Sequence, residues 1–181
     1  MKTFAVKHVN FEEYADALAG PVAKAYGACG KKPRLFIEPG TAIVADTLHF
    51  FARVVDVKQV AGTRFATVNG SIFNISASAR KTNLPVEVVS ASVASRHSSS
   101  GPCTIVGYTC IEGDCLTVQF DGAADVGDFV HYSNVGSYSV VMKPPFILPN
   151  VAMVRFDRDS WEPKLVKAPE SFEDVFSTFV F

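Results

Sequence analysis

The first hydrophobic residues of the chain follow a helical period. Apolar side chains recur every three or four positions and predict one helix with an apolar face: Phe11, Tyr14, Ala15, Leu18 and Val22. Asn10 precedes this stripe and Glu13 follows three residues later, a spacing typical of a capping box. Gly20-Pro21 predicts a kink or a restart of the helix, and the glycines and proline of residues 27–33 predict its end.

Beyond this helix the pattern changes to short runs of apolar and β-branched residues. Residues 34–37 form one such run, which ends at Glu38-Pro39-Gly40, and we predict a strand there. Turn signals such as Asn69-Gly70 and Asp121-Gly122 separate the later runs. Those runs predict further strands at residues 42–45, 48–57, 64–68, 86–90, 104–109, 115–120, 129–133, 137–142 and 152–156. The pattern therefore predicts a mostly β chain, an antiparallel sandwich or barrel, with terminal helical turns at 171–176.

The composition narrows the possible classes of protein. The 181 residues are enough for about one domain, and 48% of them are hydrophobic. The 17 Lys+Arg residues balance 18 Asp+Glu residues, so we expect neither a nucleic-acid-binding stripe nor a polybasic membrane patch. No apolar run approaches the roughly 20 residues of a membrane span, and the first residues do not resemble a secretory signal.

The cysteines and histidines show no metal-ligand spacing. The four cysteines form no CxxC pair, and we interpret them as thiols of a cytoplasmic protein: Cys29, Cys103, Cys110 and Cys115. The four histidines are isolated in the sequence, and we expect no metal site among them: His8, His49, His97 and His131.

Five motifs occur in an order and spacing that point to one family. They are Glu38-Pro39-Gly40, Val68-Asn69-Gly70-Ser71, the loop Val106-Gly107-Tyr108-Thr109-Cys110-Ile111-Glu112-Gly113-Asp114, the pair Val126-Gly127-Asp128 and Val135-Gly136-Ser137-Tyr138, and the tail from Glu170 to Phe176. From about residue 11 to its end, the chain resembles the fold-type III, group IV pyridoxal-phosphate-dependent amino-acid decarboxylases. Diaminopimelate, ornithine, arginine and carboxynorspermidine decarboxylases belong to that family.

The resemblance implies a two-domain parent enzyme. Residues 1–40 would be the last helix and strand of a (β/α)8 barrel that binds the cofactor, and residues 41–181 the C-terminal β-barrel domain. The family's Schiff-base lysine and glycine-rich phosphate loop lie before these parts, so we expect this chain alone to be inactive. Family members form head-to-tail homodimers with active sites at the interface, which implies a homodimer here also.

The resemblance also assigns roles to individual residues. Glu38 would hold the pyridine nitrogen of pyridoxal 5'-phosphate protonated, because a nearby anion favours the charged form, and Gly40 belongs to the same cofactor-binding strand end. The Tyr138 hydroxyl would bond the cofactor phosphate. Cys110 would protonate the correct carbon after carbon dioxide leaves. From the residues alone, the alternatives are a solvated Glu before a turn, a tyrosine packed in a core and an inert buried cysteine.

The resemblance places substrate recognition on the same loop. The family commonly has an acidic residue directly after the cysteine, where this chain has Ile111; Glu112 is our candidate for binding the distal amine of an amino-acid substrate. Asp114 is a second candidate, with a structural or intersubunit ion pair as its alternative. Thr41 and residues 74–77 stand where many relatives have arginines. Their absence weakens the case for diaminopimelate itself and leaves open a substrate with a different distal end or an unusual branch of the family. We expect a basic or diamino acid as the substrate.

Two functions of other classes stay open at this point. One is a decarboxylase-like domain that serves as a regulatory or interaction module without chemistry. The other is an unrelated β-barrel binding protein. The presence of Glu38, Cys110 and Tyr138 favours the enzyme.

Overall fold

The computed structural model describes residues 9–75, 83–91 and 102–180. The chain divides into two compact units, Met1–Ile43 and Val44–Phe181. The first unit is helical and the second is built on β-sheet.

The first unit is dominated by α1, Phe11–Gly27, and its capping box confirms the predicted start. The Asn10 side chain accepts a hydrogen bond from the Glu13 amide at 2.7 Å, and the Glu13 carboxylate accepts one from the Asn10 amide at 3.1 Å. The predicted restart at Gly20-Pro21 is wrong, because the helix continues through Pro21 to Gly27. A proline lacks one amide donor, and the remaining turns still bond around it.

The strand predicted at residues 34–37 is absent. Residues 31–39 belong to no helix or strand, since a strand needs a neighbour for its backbone groups and no described residue pairs with this run. The run predicted at 42–45 is also not a strand. Its residues instead form α2, Thr41–Val44, followed by a 3-10 helix at Ala45–Thr47.

The second unit contains a six-stranded sheet, which confirms the predicted mostly β class. Its strands are β1 Phe50–Val60, β2 Thr63–Val68, β3 Val86–Val89, β4 Cys103–Val106, β5 Cys115–Phe120 and β6 Phe129–Tyr132. They lie in the order β3-β6-β1-β2-β4-β5. Neighbours are antiparallel except β2 and β4, which are parallel. The expectation of a purely antiparallel sheet is therefore wrong at one pair, because β4 follows β2 only after a long connection that includes α3, Ile72–Ile75.

A separate hairpin follows the sheet. Strand β7, Met153–Phe156, pairs with β8, Pro163–Lys167. The sequence pattern predicted β7 but not β8. The predicted terminal turns are present as α4, Phe172–Phe176, with Ser171 as its cap. Glu170, just before this cap, accepts a hydrogen bond from the Asn150 amide and pairs with Lys167 at 3.1 Å. Burial alone would raise the pKa of Glu170, but these bonds outweigh it and lower the pKa.

The strand predicted at residues 137–142 is replaced by turns. Tyr138 has a positive φ of 64°, which an extended strand does not allow. The Ser139 hydroxyl bonds back to the carbonyl of Val135, and the Met142 amide bonds to the carbonyl of Tyr138 at 3.0 Å. The apolar residues in this segment therefore follow a compact turn.

Alternating side chains fill the interior of the curled sheet. On β1, Phe50, Ala52 and Val54 are buried, while the residues between them face outward. Across the interior, the Tyr132 hydroxyl lies 2.9 Å from the Thr117 hydroxyl, and both side chains are buried. Burial raises the pKa of Tyr132, so this phenol stays neutral. In the described part of the chain, no helix combines the length and the hydropathy of a membrane span.

One side chain joins the two edges of the sheet. Asn83, just before edge strand β3, donates to the Val118 carbonyl of edge strand β5 at 2.7 Å and accepts from the Val118 amide at 3.0 Å. The side-chain amide thus reproduces the paired bonds of a β-bridge. It satisfies edge groups that would otherwise be open to other chains.

We predict that Asn83→Ala lowers the free energy of unfolding by about 1–2 kcal/mol, because two hydrogen bonds that connect the edge strands are lost. Urea unfolding followed by circular dichroism measures the change. Gln59→Ala is the control. It removes an exposed side-chain amide from β1, and this amide takes no part in the connection between the edge strands. Equal stability of Asn83→Ala and the unsubstituted chain would contradict a closing role.

Candidate functional site

A buried carboxylate connects two of the sequence motifs. One oxygen of Asp114 accepts hydrogen bonds from the Ser71 hydroxyl at 3.0 Å and from the Ile72 amide at 2.7 Å. The other accepts from the amide and the hydroxyl of Thr109, at 3.1 and 2.6 Å. Asp114 is only 4% exposed. Residues about 40 positions apart in sequence are therefore held by one side chain.

Backbone bonds complete this connection. The Gly107 amide donates to the Asp114 carbonyl at 2.9 Å, which closes the loop at its base. The Tyr108 amide donates to the Gly70 carbonyl at 3.2 Å and joins the loop to the neighbouring motif. Burial first, and the Asp114 carboxylate second, raise the pKa of Tyr108. The loop 107–114 and the turn 70–75 thus form one bonded structure, which we call the Asp114 cluster.

The hydrogen-bond partners of the Asp114 carboxylate are neutral groups, and the position of this carboxylate requires a glycine at residue 107. A buried carboxylate needs hydrogen bonds to compensate for lost hydration, and two amides and two hydroxyls provide them here. A Cβ added to Gly107 would collide with the Asp114 carboxylate, whereas a Cβ at Gly113 would meet open space. The carboxylate therefore excludes a side chain at position 107.

The loop presents Cys110 and Glu112 to solvent. Both residues are exposed, while the residues around them are bonded: the Ile111 amide donates to the Thr109 hydroxyl, and the Asp114 amide donates to the Ile111 carbonyl. Cys103 and Cys115 differ from Cys110. Burial raises the pKa of both thiols, as is typical of inert cysteines.

Asp128 organises another motif by similar means. Gly127 and Asp128 exchange backbone bonds with Val54 of β1 at 2.9 and 2.8 Å. The Asp128 carboxylate accepts from the Ser90 hydroxyl and the Ala91 amide, both at 3.2 Å. This aspartate therefore joins the end of β3 to the turn before β6.

The motif that contains Tyr138 lies against the start of the second unit. The Gly136 amide donates to the Ala45 carbonyl at 2.9 Å, and a Cβ at Gly136 would collide with the Val44 carbonyl. Tyr138 follows on the turn described above and is 47% exposed. Within the described residues, its hydroxyl forms no hydrogen bond and is available to a ligand.

The other two cofactor-binding candidates belong to the first unit. Glu38 is exposed in the irregular stretch before α2. Gly40 has a positive φ of 57°, and the Pro39 carbonyl accepts from the Ala42 amide at 3.3 Å, so this motif forms a turn into α2. Residues 74–77 stand where relatives have an arginine. The Asn74 side-chain oxygen accepts a hydrogen bond from the Ser71 amide at 2.9 Å, and residues 76–77 lie outside the described residues.

Sequence reasoning missed a cluster of polar residues on the sheet. His131 lies between His49 and Glu87, with nitrogen–nitrogen and nitrogen–oxygen distances of 2.7 and 2.5 Å. These residues come from three regions of the chain, and only the strand order brings them together. In the described part of the chain, no group of three or more His, Cys, Asp and Glu side chains is arranged around a common metal position.

Comparison with known families agrees with these motifs. The family model for the C-terminal sheet domain of pyridoxal-dependent decarboxylases matches residues 41–136, just over half of the chain. This chain therefore belongs to the pyridoxal-dependent decarboxylase family, as the resemblance predicted. No curated protein matches it in sequence.

Solved structures share the fold. A diaminopimelate decarboxylase is 21% identical in sequence, with a TM-score of 0.77. The match covers 97% of this chain and 44% of the decarboxylase. The M. jannaschii diaminopimelate decarboxylase in co-complex with L-lysine is 18% identical with a TM-score of 0.80, covering 99% of this chain and 40% of that one. The arginine decarboxylase of Paramecium bursaria Chlorella virus is 15% identical, with a TM-score of 0.61. That match covers 78% of this chain and 38% of the viral enzyme. The chain thus spans less than half the length of these enzymes.

We predict that Gly107→Ala lowers the free energy of unfolding by about 1–3 kcal/mol, because the new methyl group displaces the buried carboxylate of Asp114. Thermal and urea unfolding measure the change. Gly113→Ala is the matched control in the same loop, since its methyl group meets open space. Equal destabilisation by both substitutions would show that the Asp114 contact does not restrict position 107.

Proposed function

We propose that this chain is the sheet-domain part of a pyridoxal-phosphate-dependent decarboxylase that acts on a basic or diamino acid. The observation that carries the proposal is the Asp114 cluster, which holds an exposed cysteine on a loop fixed at both ends. In this proposal, residues 1–40 are the end of a (β/α)8 barrel and residues 41–181 the second domain. Membership in the family supports this assignment.

The polar groups of the chain fit part of the cofactor. Tyr138 offers an exposed phenol donor, which suits a phosphate oxygen. Glu38 offers an exposed carboxylate next to the Gly40 turn, which suits a protonated ring nitrogen. When bound, pyridoxal phosphate supplies the electron sink for loss of carbon dioxide. We assign the lysine that would hold it covalently to the barrel domain.

Cys110 is the proposed proton donor. A general acid must come within hydrogen-bond distance of the atom that receives the proton, so its position must be fixed. The bonds of Thr109, Ile111 and Asp114 fix the loop on both sides of Cys110 while the thiol side stays exposed. This arrangement suits a thiol that completes a pocket formed with another subunit.

Glu112 is the proposed ligand for the distal amine of the substrate. It is exposed on the same loop as Cys110, two positions along the chain. Two structurally similar diaminopimelate decarboxylases are complexed with L-lysine, which supports an amino acid with a second amine. For Asp114, both carboxylate oxygens accept hydrogen bonds within the chain, which favours a structural role over substrate binding. Among the described residues its partners are neutral groups and not the ion pair expected as the alternative.

We also propose a homodimer whose active site lies at the subunit interface. The hairpin β7–β8 and the residues after α4 expose large apolar side chains. Among them are Val154, Phe156, Trp161, Leu165, Val166 and Phe179. Such side chains are suited to contact with the rest of the enzyme or with a second subunit.

We predict that the purified chain mixed with pyridoxal phosphate yields no borohydride-trapped adduct at a single lysine, because the lysine of the proposed enzyme lies in the barrel domain. Mass spectrometry after reduction measures the adducts. The same treatment of the unfolded chain gives the background of non-specific lysine modification. A stoichiometric adduct at one lysine would contradict the two-domain proposal. Genomic DNA upstream of the Met1 codon tests it independently, since an in-frame barrel with a lysine is expected there.

In the enzyme completed by that barrel, we predict that Cys110→Ala lowers kcat by about 10²- to 10⁴-fold with little change in KM, because a positioned general acid is lost. Carbon dioxide release from diaminopimelate, ornithine, lysine and arginine measures activity. Cys29→Ala is the control, since it removes another exposed thiol. Full activity of Cys110→Ala would contradict the role of the thiol, and an inactive completed enzyme would favour a regulatory module.

A further inference from the structure

An exposed imidazole ends a row of hydrogen-bonded side chains on the outer face of the sheet. Glu87 on β3 is paired with His131 on β6, and the buried neighbour Val130 shows that both side chains face outward. Phe51 on β1 is paired with His131 from the other side. His49 lies two positions before Phe51, reaches the same face and is exposed. The row is therefore assembled from three neighbouring strands and the segment before β1.

The row contains two short hydrogen bonds in series. A Glu87 carboxylate oxygen lies 2.5 Å from Nδ1 of His131, and Nε2 of His131 lies 2.7 Å from Nδ1 of His49. The nitrogen–nitrogen distance is shorter than the contact between stacked rings, so the two imidazoles meet through an N–H···N bond. The ring of Phe51 stacks on His131 with a centroid distance of 4.4 Å and an interplanar angle of 5°. This stacking holds the ring that connects the two bonds.

The acceptors in the row fix the position of each proton. An ionised carboxylate only accepts hydrogen bonds, so Nδ1 of His131 carries the proton of its bond to Glu87. When both rings are neutral, Nε2 of His131 has a lone pair and Nδ1 of His49 donates to it. The lone pair of His49 then lies on its Nε2, which forms no hydrogen bond within the described residues. The free basic nitrogen of the row is therefore Nε2 of the exposed histidine.

We propose that Nε2 of His49 is a nucleophile that accepts acyl groups from activated esters and anhydrides, with His131 and Glu87 as its proton relay. An activated nucleophile has a base within hydrogen-bond distance and a third group that orients this base. His131 is the base here, and Glu87 orients it. The proposal uses none of the residues assigned to the decarboxylase, so it does not depend on that activity.

The acyl transfer balances within the row. The Nε2 lone pair of His49 forms a bond to the carbonyl carbon of the donor, and the leaving group departs with the electron pair of its bond to that carbon. The positive charge on the His49 ring is lost when its Nδ1 proton moves to Nε2 of His131. The resulting imidazolium donates hydrogen bonds to both of its neighbours, so neither bond is broken. The Glu87 carboxylate stabilises the new charge.

The surroundings of the row suit an acceptor that is open to small molecules. The side chain of Glu87 is 61% exposed and that of His131 is 15% exposed, so water screens the carboxylate while the middle ring is partly shielded. Because screening weakens the attraction between imidazolium and carboxylate, we expect a gain in rate of about tenfold, less than a fully shielded base supplies. Phe51 is 57% exposed beside the row and offers an apolar contact to the donor.

The test uses the full chain without a histidine tag and diethyl pyrocarbonate as the acyl donor. The reaction is run above the ordinary titration range of histidine, and mass spectrometry of peptides gives the rate at His49. The chain unfolded in guanidinium chloride gives the reference rate, and added N-acetylhistidine corrects for the change of solvent. We expect His49 to react about tenfold faster in the folded chain, because only the folded chain has the relay. Exposure alone cannot raise the rate above that of the unfolded chain.

Two substitutions separate the relay from a structural effect. Glu87→Gln keeps an acceptor for His131 but removes the charge, and it is expected to remove most of the gain in rate. His131→Phe removes the base and is expected to lower the rate to that of the unfolded chain. Glu173→Gln on α4 is the matched control and is expected to leave the rate unchanged.

Circular dichroism shows whether each variant folds. Glu87→Gln changes an exposed side chain, so its result decides the question even where His131→Phe does not fold. A rate at His49 in the folded chain no higher than in the unfolded chain would overturn the proposal. An unchanged rate in folded Glu87→Gln would overturn it also.

Discussion

The loop that carries the proposed chemistry depends on one buried carboxylate. Moving an ionised carboxylate out of water is strongly unfavourable unless hydrogen bonds replace its hydration. Asp114 receives four such bonds, all from neutral groups, and each bond also fixes a piece of backbone on loop 107–114 or turn 70–75. The carboxylate needs these four donors, and its bonds to them hold the loop and the turn in their conformations. Removal of any one donor would leave a buried acceptor without one of its partners, which is costly in a low-dielectric interior.

Periodicity alone predicted most of the sheet, because alternation and turn signals are local. The run at 115–120 coincides with β5, and the capping box of Asn10 and Glu13 coincides with the start of α1. The failures have a common physical cause. The apolar runs at 34–37, 42–45 and 137–142 resemble strands in composition, but a strand also requires a paired neighbour, and local sequence does not specify one. The positive φ at Tyr138 reverses the last of these runs.

The site was predictable to a different degree from the fold. The motifs identified the loop around Cys110 and the motif at Gly70-Ser71, but their spacing did not show that Asp114 joins them. Pairing between distant segments depends on strand order, and the parallel pair β2–β4 sets the ends of these two strands side by side. The contact between His49 and His131 depends on strand order for the same reason, since 82 positions separate the residues.

Burial divides the polar residues of the second unit into two groups. In the described part of the chain, every buried side-chain nitrogen or oxygen has a hydrogen-bond partner. Cys110, Glu112 and Tyr138, in contrast, are all exposed. An enzyme that formed a complete pocket from this unit alone would shield its reactive groups from water, because electrostatic interactions strengthen on desolvation. Under the proposed function, the surface that shields these three side chains would belong to other parts of the enzyme.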